Sequence, residues 1–275
     1  MKGLKALFVI CAMSLLAGKR AFILLILMNR LFLAMLAGAS VVAAQLAMQP
    51  AHAEELSLRE AGAIKKGCFS GAGQAQVDAC TRMIQSKYFV EGALTDAYFS
   101  RADAYSHLRQ YQRAVEDFTQ AVTRKPDFTA AYNGRANAHL FLQQFQPAIQ
   151  DYTKVMALDP KPAAGYFNAR GAAYTEVGQY KDAISDFNKA IALAPTPTSY
   201  NNRGYCYLLL KQFKQAIDDY DRAIAMAPNS AAVLYMRGIA KLRSDDKPGG
   251  NADIAAAVAL EPKIAEEFAA AGVKP

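Results

Sequence analysis

The side chains of this chain whose types and spacing could do chemistry are few. They are a cysteine pair, two histidines, and a set of arginines and aspartates that recur at fixed intervals. Cys68 and Cys80 stand 12 residues apart. In an oxidising compartment that spacing points to a disulfide. A bridge closing such a loop would stabilise the fold by about 3 kcal/mol if it acts on unfolded-chain entropy. The other reading is two buried thiols. A zinc site is the weaker option, because no histidine or CxxC lies nearby. Cys206 reads as a free core thiol, and Cys11 belongs to the apolar N-terminal leader. His139 falls where other copies of the repeat described below carry Tyr105, Tyr174 and Tyr207, so it reads as a core substitute. His107 reads as a surface residue at the end of a helix. There is no phosphate-binding loop, no HExxH and no nucleophile elbow. Gly71-Ala72-Gly73 lacks the strand and helix that a dinucleotide site needs. The expectation is a protein that is not an enzyme and uses no cofactor or metal.

The charged set is more ordered. Arg101, Arg135, Arg170, Arg203 and Arg237 are each followed 16 residues later by Asp117, Asp151, Asp186, Asp219 and Asp253. The midpoint of each pair falls at a turn, which puts the two residues at one height in an antiparallel helical hairpin. The expectation is a ladder of structural ion pairs, within each hairpin or between neighbours. Arginine suits it, because a planar guanidinium grips a carboxylate with two hydrogen bonds. The competing reading, arginines that bind an acidic ligand, must explain why an acid accompanies every one.

The elements that hold these residues repeat. The arginines recur at offsets of 34, 35, 33 and 34, and Pro126, Pro160, Pro195, Pro228 and Pro262 recur at the same offsets. The distance from Arg to Pro is 25 in every copy, so length changes fall in the joint between each Pro and the next Arg. Self-similarity at this period marks a helical solenoid. In the third copy Ala164–Val177 presents an apolar face. Gly178-Gln179-Tyr180 interrupts it, and Lys181–Leu193 resumes it through Ala183, Ile184, Phe187, Ala190 and Ile191. These spacings of 3, 4 and 7 belong to amphipathic helices. Ala102, Ala136, Gly171, Gly204 and Gly238 face Ala114, Ala148, Ala183, Ala216 and Gly250, and such small pairs let two helices approach closely. The fold class expected is all-α, a right-handed α-solenoid of stacked antiparallel helix pairs.

The run Phe167, Gly171, Tyr174, Tyr180, Ala183, Phe187, Ala190 and Pro195 resembles the tetratricopeptide repeat. Four copies over about 95–228 carry the pattern and a degenerate fifth spans 231–262, so the expected array covers 95–262. The phrases Tyr200-Asn201-Asn202-Arg203-Gly204 and Tyr220-Asp221-Arg222-Ala223-Ile224 are similar to those of bacterial members. The family usually has Leu where this chain has its repeated Arg. The resemblance implies a concave wall of first helices that binds protein or peptide partners. It places contacts two residues before and two after the repeated Arg: Phe99 and Asp103, Asn133 and Asn137, Asn168 and Ala172, Asn201 and Tyr205, Tyr235 and Ile239. Asn133, Asn168 and Asn201 would form an amide ladder, each offering donor and acceptor to an extended backbone. Phe99, Tyr205 and Tyr235 would add apolar anchors. The plainer alternative is that these Asn are solvated. The Lys and Arg set that clamps a C-terminal carboxylate is missing from these positions.

Flanking segments complete the plan. Residues 54–94 read as an N-terminal cap holding the cysteine pair, with a helix over Ala75–Gln85. Residues 263–275 read as a capping helix through Ile264, Phe268 and Ala271. Residues 1–53 are apolar and hold five basic residues and no acid, so much of the +7 net charge belongs to them. The remaining 26 basic and 24 acidic residues nearly balance and form no basic stripe, which argues against a nucleic-acid partner. From Met28 to Ala53 the segment reads as a complete 26-residue signal peptide, ending in Ala51-His52-Ala53. The expectation is export with cleavage after Ala53, to a location such as the periplasm. The alternative is an uncleaved leader that anchors the protein in the inner membrane, the only membrane contact foreseen.

Overall fold

The computed structural model describes residues 57–270 and Gly272. The leader, its junction at Ala53, and Ala271 of the capping segment lie outside the described residues. Thirteen helices follow one another and no strand occurs among the described residues. They are α1 (Leu58–Ser70), α2 (Gly73–Gln85), α3 (Glu91–His107), α4 (Tyr111–Arg124), α5 (Thr129–Phe141), α6 (Phe145–Leu158) and α7 (Ala164–Glu176). The chain continues as α8 (Tyr180–Leu193), α9 (Pro197–Leu209), α10 (Phe213–Met226), α11 (Ala231–Arg243), α12 (Lys247–Leu260) and α13 (Ile264–Ala270). Each odd helix pairs with the even helix after it, and each even helix packs on the next odd one, giving a right-handed α-solenoid.

The hairpins close through one recurring turn. Arg109, Gln143, Gly178, Lys211 and Asp245 all adopt positive φ, between 57° and 76°. The next backbone N–H, of Gln110, Gln144, Gln179, Gln212 and Asp246, donates to the carbonyl five residues back at 2.8–3.0 Å. These contacts satisfy the carbonyls that a helix end leaves open. Of these five turns only the one between α7 and α8, in the third repeat, has glycine at the left-handed position. The helices then meet through the small residues. Ala102, Ala114, Ala136, Ala148, Ala183 and Ala216 are fully buried. A Cβ on Gly171 would lie 2.8 Å from Phe187, and one on Gly204 3.0 Å from Tyr220. The aromatic of the second helix therefore sits directly over the first helix's backbone. Phe118, Tyr152, Phe187 and Tyr220 fill this place in successive hairpins, each at most 1% exposed.

The Arg–Asp ladder is built inside each hairpin. Arg101 Nε and Nη2 donate to Asp117 at 2.6 and 2.8 Å, and the same two-pronged grip recurs at Arg135–Asp151, Arg170–Asp186, Arg203–Asp219 and Arg237–Asp253. A third bond runs to the helix before. Nη1 of each arginine donates in turn to Thr81, Thr119, Thr153, Asn188 and Asp221, at 2.5–3.0 Å. The last four of these acceptors lie two residues after the aspartate of the preceding hairpin. One guanidinium thus ties its own hairpin closed and its neighbour in place. In Arg135, Arg170, Arg203 and Arg237 the aspartate bond is the largest influence and raises the pKa against the cost of burial. In Arg101 burial is the larger influence, and Asp117 still tips the balance upward.

The two ends differ from the periodic expectation. At the N-terminus, α1 is a full helix paired with α2. It begins in a reciprocal cap, where Ser57 Oγ accepts from Glu60 N–H at 3.3 Å and Glu60 accepts from Ser57 N–H at 3.0 Å. Cys68 and Cys80 face each other across this pair, fully buried, with Cα atoms 4.5 Å apart. In this hairpin a Cβ on Gly67 would lie 2.9 Å from that of Ala79, so the small pair is kept, while Lys66 and Arg82 stand where the later hairpins carry Arg and Asp. Helix α3 starts at Glu91, a turn before the array's expected start at 95, and Glu91 pairs with Arg124 at 2.9 Å. An extra first turn is invisible to a repeat period. At the C-terminus, Phe268 of α13 stacks on Tyr235 with ring centroids 4.9 Å apart.

Candidate binding face

Successive first helices meet one another: α1 with α3, α3 with α5, α7 with α9, and α9 with α11. No two successive second helices approach as closely. The first helices therefore form the inner, more tightly curved wall. The side chains two residues before and two after each arginine stand on it.

They do not all stand free. Asp103 and Asn137 are exposed, while Asn133, Asn168, Asn201 and Tyr205 are half-buried. Asp103 lies 3.5 Å from His107 Nε2. Asn137 Oδ1 accepts a 2.5 Å bond from the hydroxyl of Tyr152, which turns its amide N–H groups outward as the available donors. Asn168 Oδ1 is buried and has no hydrogen-bond partner among the described residues. Asn201 Nδ2 reaches Asn202 Oδ1 at the long distance of 3.5 Å. Three amides thus repeat at one place on α5, α7 and α9, with little of their bonding capacity used by the protein. Burial, with Glu176 next in effect, pushes the Tyr205 phenol up, so it stays a neutral donor near neutral pH.

Two expected anchors fall away. Tyr235 is 2% exposed, because α13 folds over it and Phe268 stacks on its ring. A capping helix must bury something apolar, and the end of the wall is what it buries. Ile239, in the same hairpin, is fully buried as well. Phe99 is half-buried and packs against Phe118 and Phe128, at 5.8 and 4.8 Å between centroids. It wedges two hairpins together. The open wall therefore runs from Asp103 to Tyr205.

One feature of this wall was not among the expected contacts. Tyr111 and Phe141 stack in parallel, 4.4 Å apart at 6°, although Phe141 is 66% exposed. With Ser106, His107, Arg109 and Asn137 they line a recess of about 310 Å³ at the turn end of α3 and α5. Its signal in the sequence was an extra aromatic at the last position of a first helix, where the other copies hold His107, Glu176, Leu209 and Arg243.

The remaining chemistry-bearing residues sit inside. His139 Nδ1 lies 2.7 Å from Gln144 Oε1, and its side chain is 13% exposed. Cys206 is fully buried 3.1 Å from Thr175 Oγ1, and burial pushes its thiol up. Among the described residues no cluster of His, Cys, Asp and Glu could hold a metal ion. No helix among them is long and apolar enough to cross a membrane.

Comparison with known proteins agrees with this architecture. Tetratricopeptide-repeat models match residues 95–128, 129–162, 164–197 and 197–230. Among solved structures, YrrB is described as a TPR protein with an unusual peptide-binding site. It superposes with a TM-score of 0.60 at 17% identity, over 72% of this chain and 100% of its own. A MamA protein gives 0.59 at 19% identity, over 64% of this chain and 96% of its own. MamA from Desulfovibrio magneticus RS-1 gives 0.59 at 19% identity, over 62% and 96%. At these identities the likeness is one of fold. No curated protein sequence matches the chain.

Proposed function

We propose, for a chain that carries tetratricopeptide repeats from residue 95 to residue 230, a non-catalytic scaffold that binds a protein or an extended peptide on its first-helix wall. The observation that carries this reading is the row Asn133, Asn168 and Asn201, topped by the buried Asn168 oxygen with no partner among the described residues. A side-chain amide spaced once per repeat can pair with a peptide backbone, which offers a donor and an acceptor at every residue. Tyr205, Asn137 and Asp103 flank the row and would set which side chains are accepted. The peptide-binding site named for YrrB is a property of that protein; here it supports the reading by fold alone. The test is affinity capture from an envelope extract with wild type and with Asn133→Ala/Asn168→Ala/Asn201→Ala combined. A partner retained by wild type should be reduced about tenfold or more by the variant, as loss of several central hydrogen bonds demands. Equal recovery would refute the assignment.

The proposal includes place. The leader would be removed after Ala53 and the protein released into an oxidising compartment such as the periplasm. There Cys68 and Cys80, close enough for a bridge, would form a disulfide. The reading rests on the Ala51-His52-Ala53 junction and on the apolar run before it. N-terminal sequencing together with the unreduced mass tests both parts in one sample. Glu54 at the N-terminus with no free thiol at 68 and 80 is expected; Met1 or Met28 at the N-terminus would mean a retained anchor.

A further inference from the structure

The joints between hairpins are uneven. Four residues separate α4 from α5 and α10 from α11, but five (159–163) separate α6 from α7, and three (194–196) separate α8 from α9. The long joint carries Pro160 and Pro162, which stiffen it and remove its donors. Its consequence is an open trough of about 540 Å³ at the joint edge of the third repeat, away from the tight turns. Pro160, Pro162, Phe167 and Leu193 supply an apolar lining, and Lys161 and Lys189 stand beside it. Leu193 is 59% exposed. Lys189 lies over the Phe167 ring at 5.5 Å. Neither lysine pairs with a carboxylate among the described residues. In the first repeat Phe128, from the joint that follows it, packs on Phe99 at 4.8 Å; after α8 the joint ends at Thr196 and Pro197 opens α9 at the matching place.

We propose that this trough is a second docking site, for an acidic peptide segment whose apolar side chain lies on Phe167 and Leu193 while its carboxylates meet Lys161 and Lys189. Charge complementarity selects the occupant. Two unpaired ammonium groups flanking an apolar strip favour a ligand that is apolar at its centre and anionic at both sides. The trough is shallow and open, which suits a side chain presented on a backbone better than an acyl chain, which needs enclosure. The site uses none of the amides on the inner wall, so the protein could hold two partners at once.

The experiment uses the full chain and two fluorescein-labelled peptides, acetyl-Asp-Asp-Leu-Phe-Asp-Asp-amide and its Asn-for-Asp counterpart, followed by fluorescence anisotropy. Wild type should bind the acidic peptide saturably and the neutral one at least about tenfold more weakly, with the preference shrinking as salt rises. Lys161→Glu/Lys189→Glu and Leu193→Asp should each weaken the acidic peptide by about tenfold or more. Asn133→Ala/Asn168→Ala/Asn201→Ala should leave it unchanged, so failure here and failure of the inner-wall assignment are separate results. Lysine 161 and 189 and Leu193 are surface residues, and unchanged helical circular dichroism in the variants confirms that folding is retained. Equal binding of both peptides, equal binding by the trough variants, or no saturable binding would overturn the proposal. So would trough-dependent binding to phosphatidylglycerol vesicles without peptide binding, which would make the site a lipid contact.

Discussion

Arg170 shows what a repeated residue can do that a repeated pattern cannot reveal. Its pairing with Asp186 follows from a constant spacing of 16 across a turn. The third bond, to Thr153 of the hairpin before, needed knowledge of how hairpins nest. Its acceptors change from Thr to Asn to Asp along the chain, so no single residue type marks them. The Asp186 side chain is 3% exposed and that of Arg170 is 15% exposed. Replacing Asp186 by Ala strands a guanidinium that water barely reaches. Asp186→Ala should lower stability by about 3–5 kcal/mol in urea unfolding, the usual cost of leaving one buried partner alone. Arg170→Leu combined with Asp186→Ala should recover most of the loss, since an apolar pair carries no stranded charge. A double variant as unstable as the single one would mean that the bond to Thr153, and not the desolvated charge, dominates. Asp253 adds a pH dependence. Burial would raise its carboxyl, but Arg237 and Lys241 outweigh this and hold it below the ordinary aspartate value. Its contribution is therefore complete above the unfolded aspartate value near pH 4 and fades as pH falls below it.

At the scale of elements, helix limits and turns were largely legible, and the misses have physical causes. The helix pairs of the third hairpin follow from its apolar spacing, and the joints absorb the length changes as the constant Arg-to-Pro distance requires. The partner helix α1 was missed because Lys66 stands where the array has its Arg and Arg82 where it has its Asp, leaving only the small pair Gly67 and Ala79 at the repeat spacing. Burial of Ala61, Ile64 and Cys68 against α2 holds it in place. The turn glycine was legible at 178 alone; Arg109, Gln143, Lys211 and Asp245 take the same left-handed conformation. A non-glycine residue pays for that backbone with a close contact between its Cβ and a carbonyl. Lys211→Gly should therefore raise stability by about 0.5–1 kcal/mol, and Gly178→Ala should lower it by about 1 kcal/mol. Thermal unfolding of both variants checks the pair. A destabilised Lys211→Gly would mean that the lysine stem contributes packing greater than its backbone strain.

For the molecule as a whole, the face was legible and its extent was not. The positions around each arginine identified the inner wall. No sequence rule showed that α13 would close its far end over Tyr235, or that Phe99 would be taken up between hairpins, because both outcomes depend on contacts between elements distant in the chain. What is left is an open stretch of four hairpins, α3 to α10, with largely unused amides along it. The most direct measurement of that claim is site-specific photo-crosslinking in the cell that makes the protein, with benzoylphenylalanine in place of Asn168 on α7 or in place of the exposed Glu116 on α4, a second-helix position away from the trough. A partner adduct from position 168 and none from position 116 is the expected result. An adduct from 116 alone, or from neither, would contradict a binding role for the inner wall.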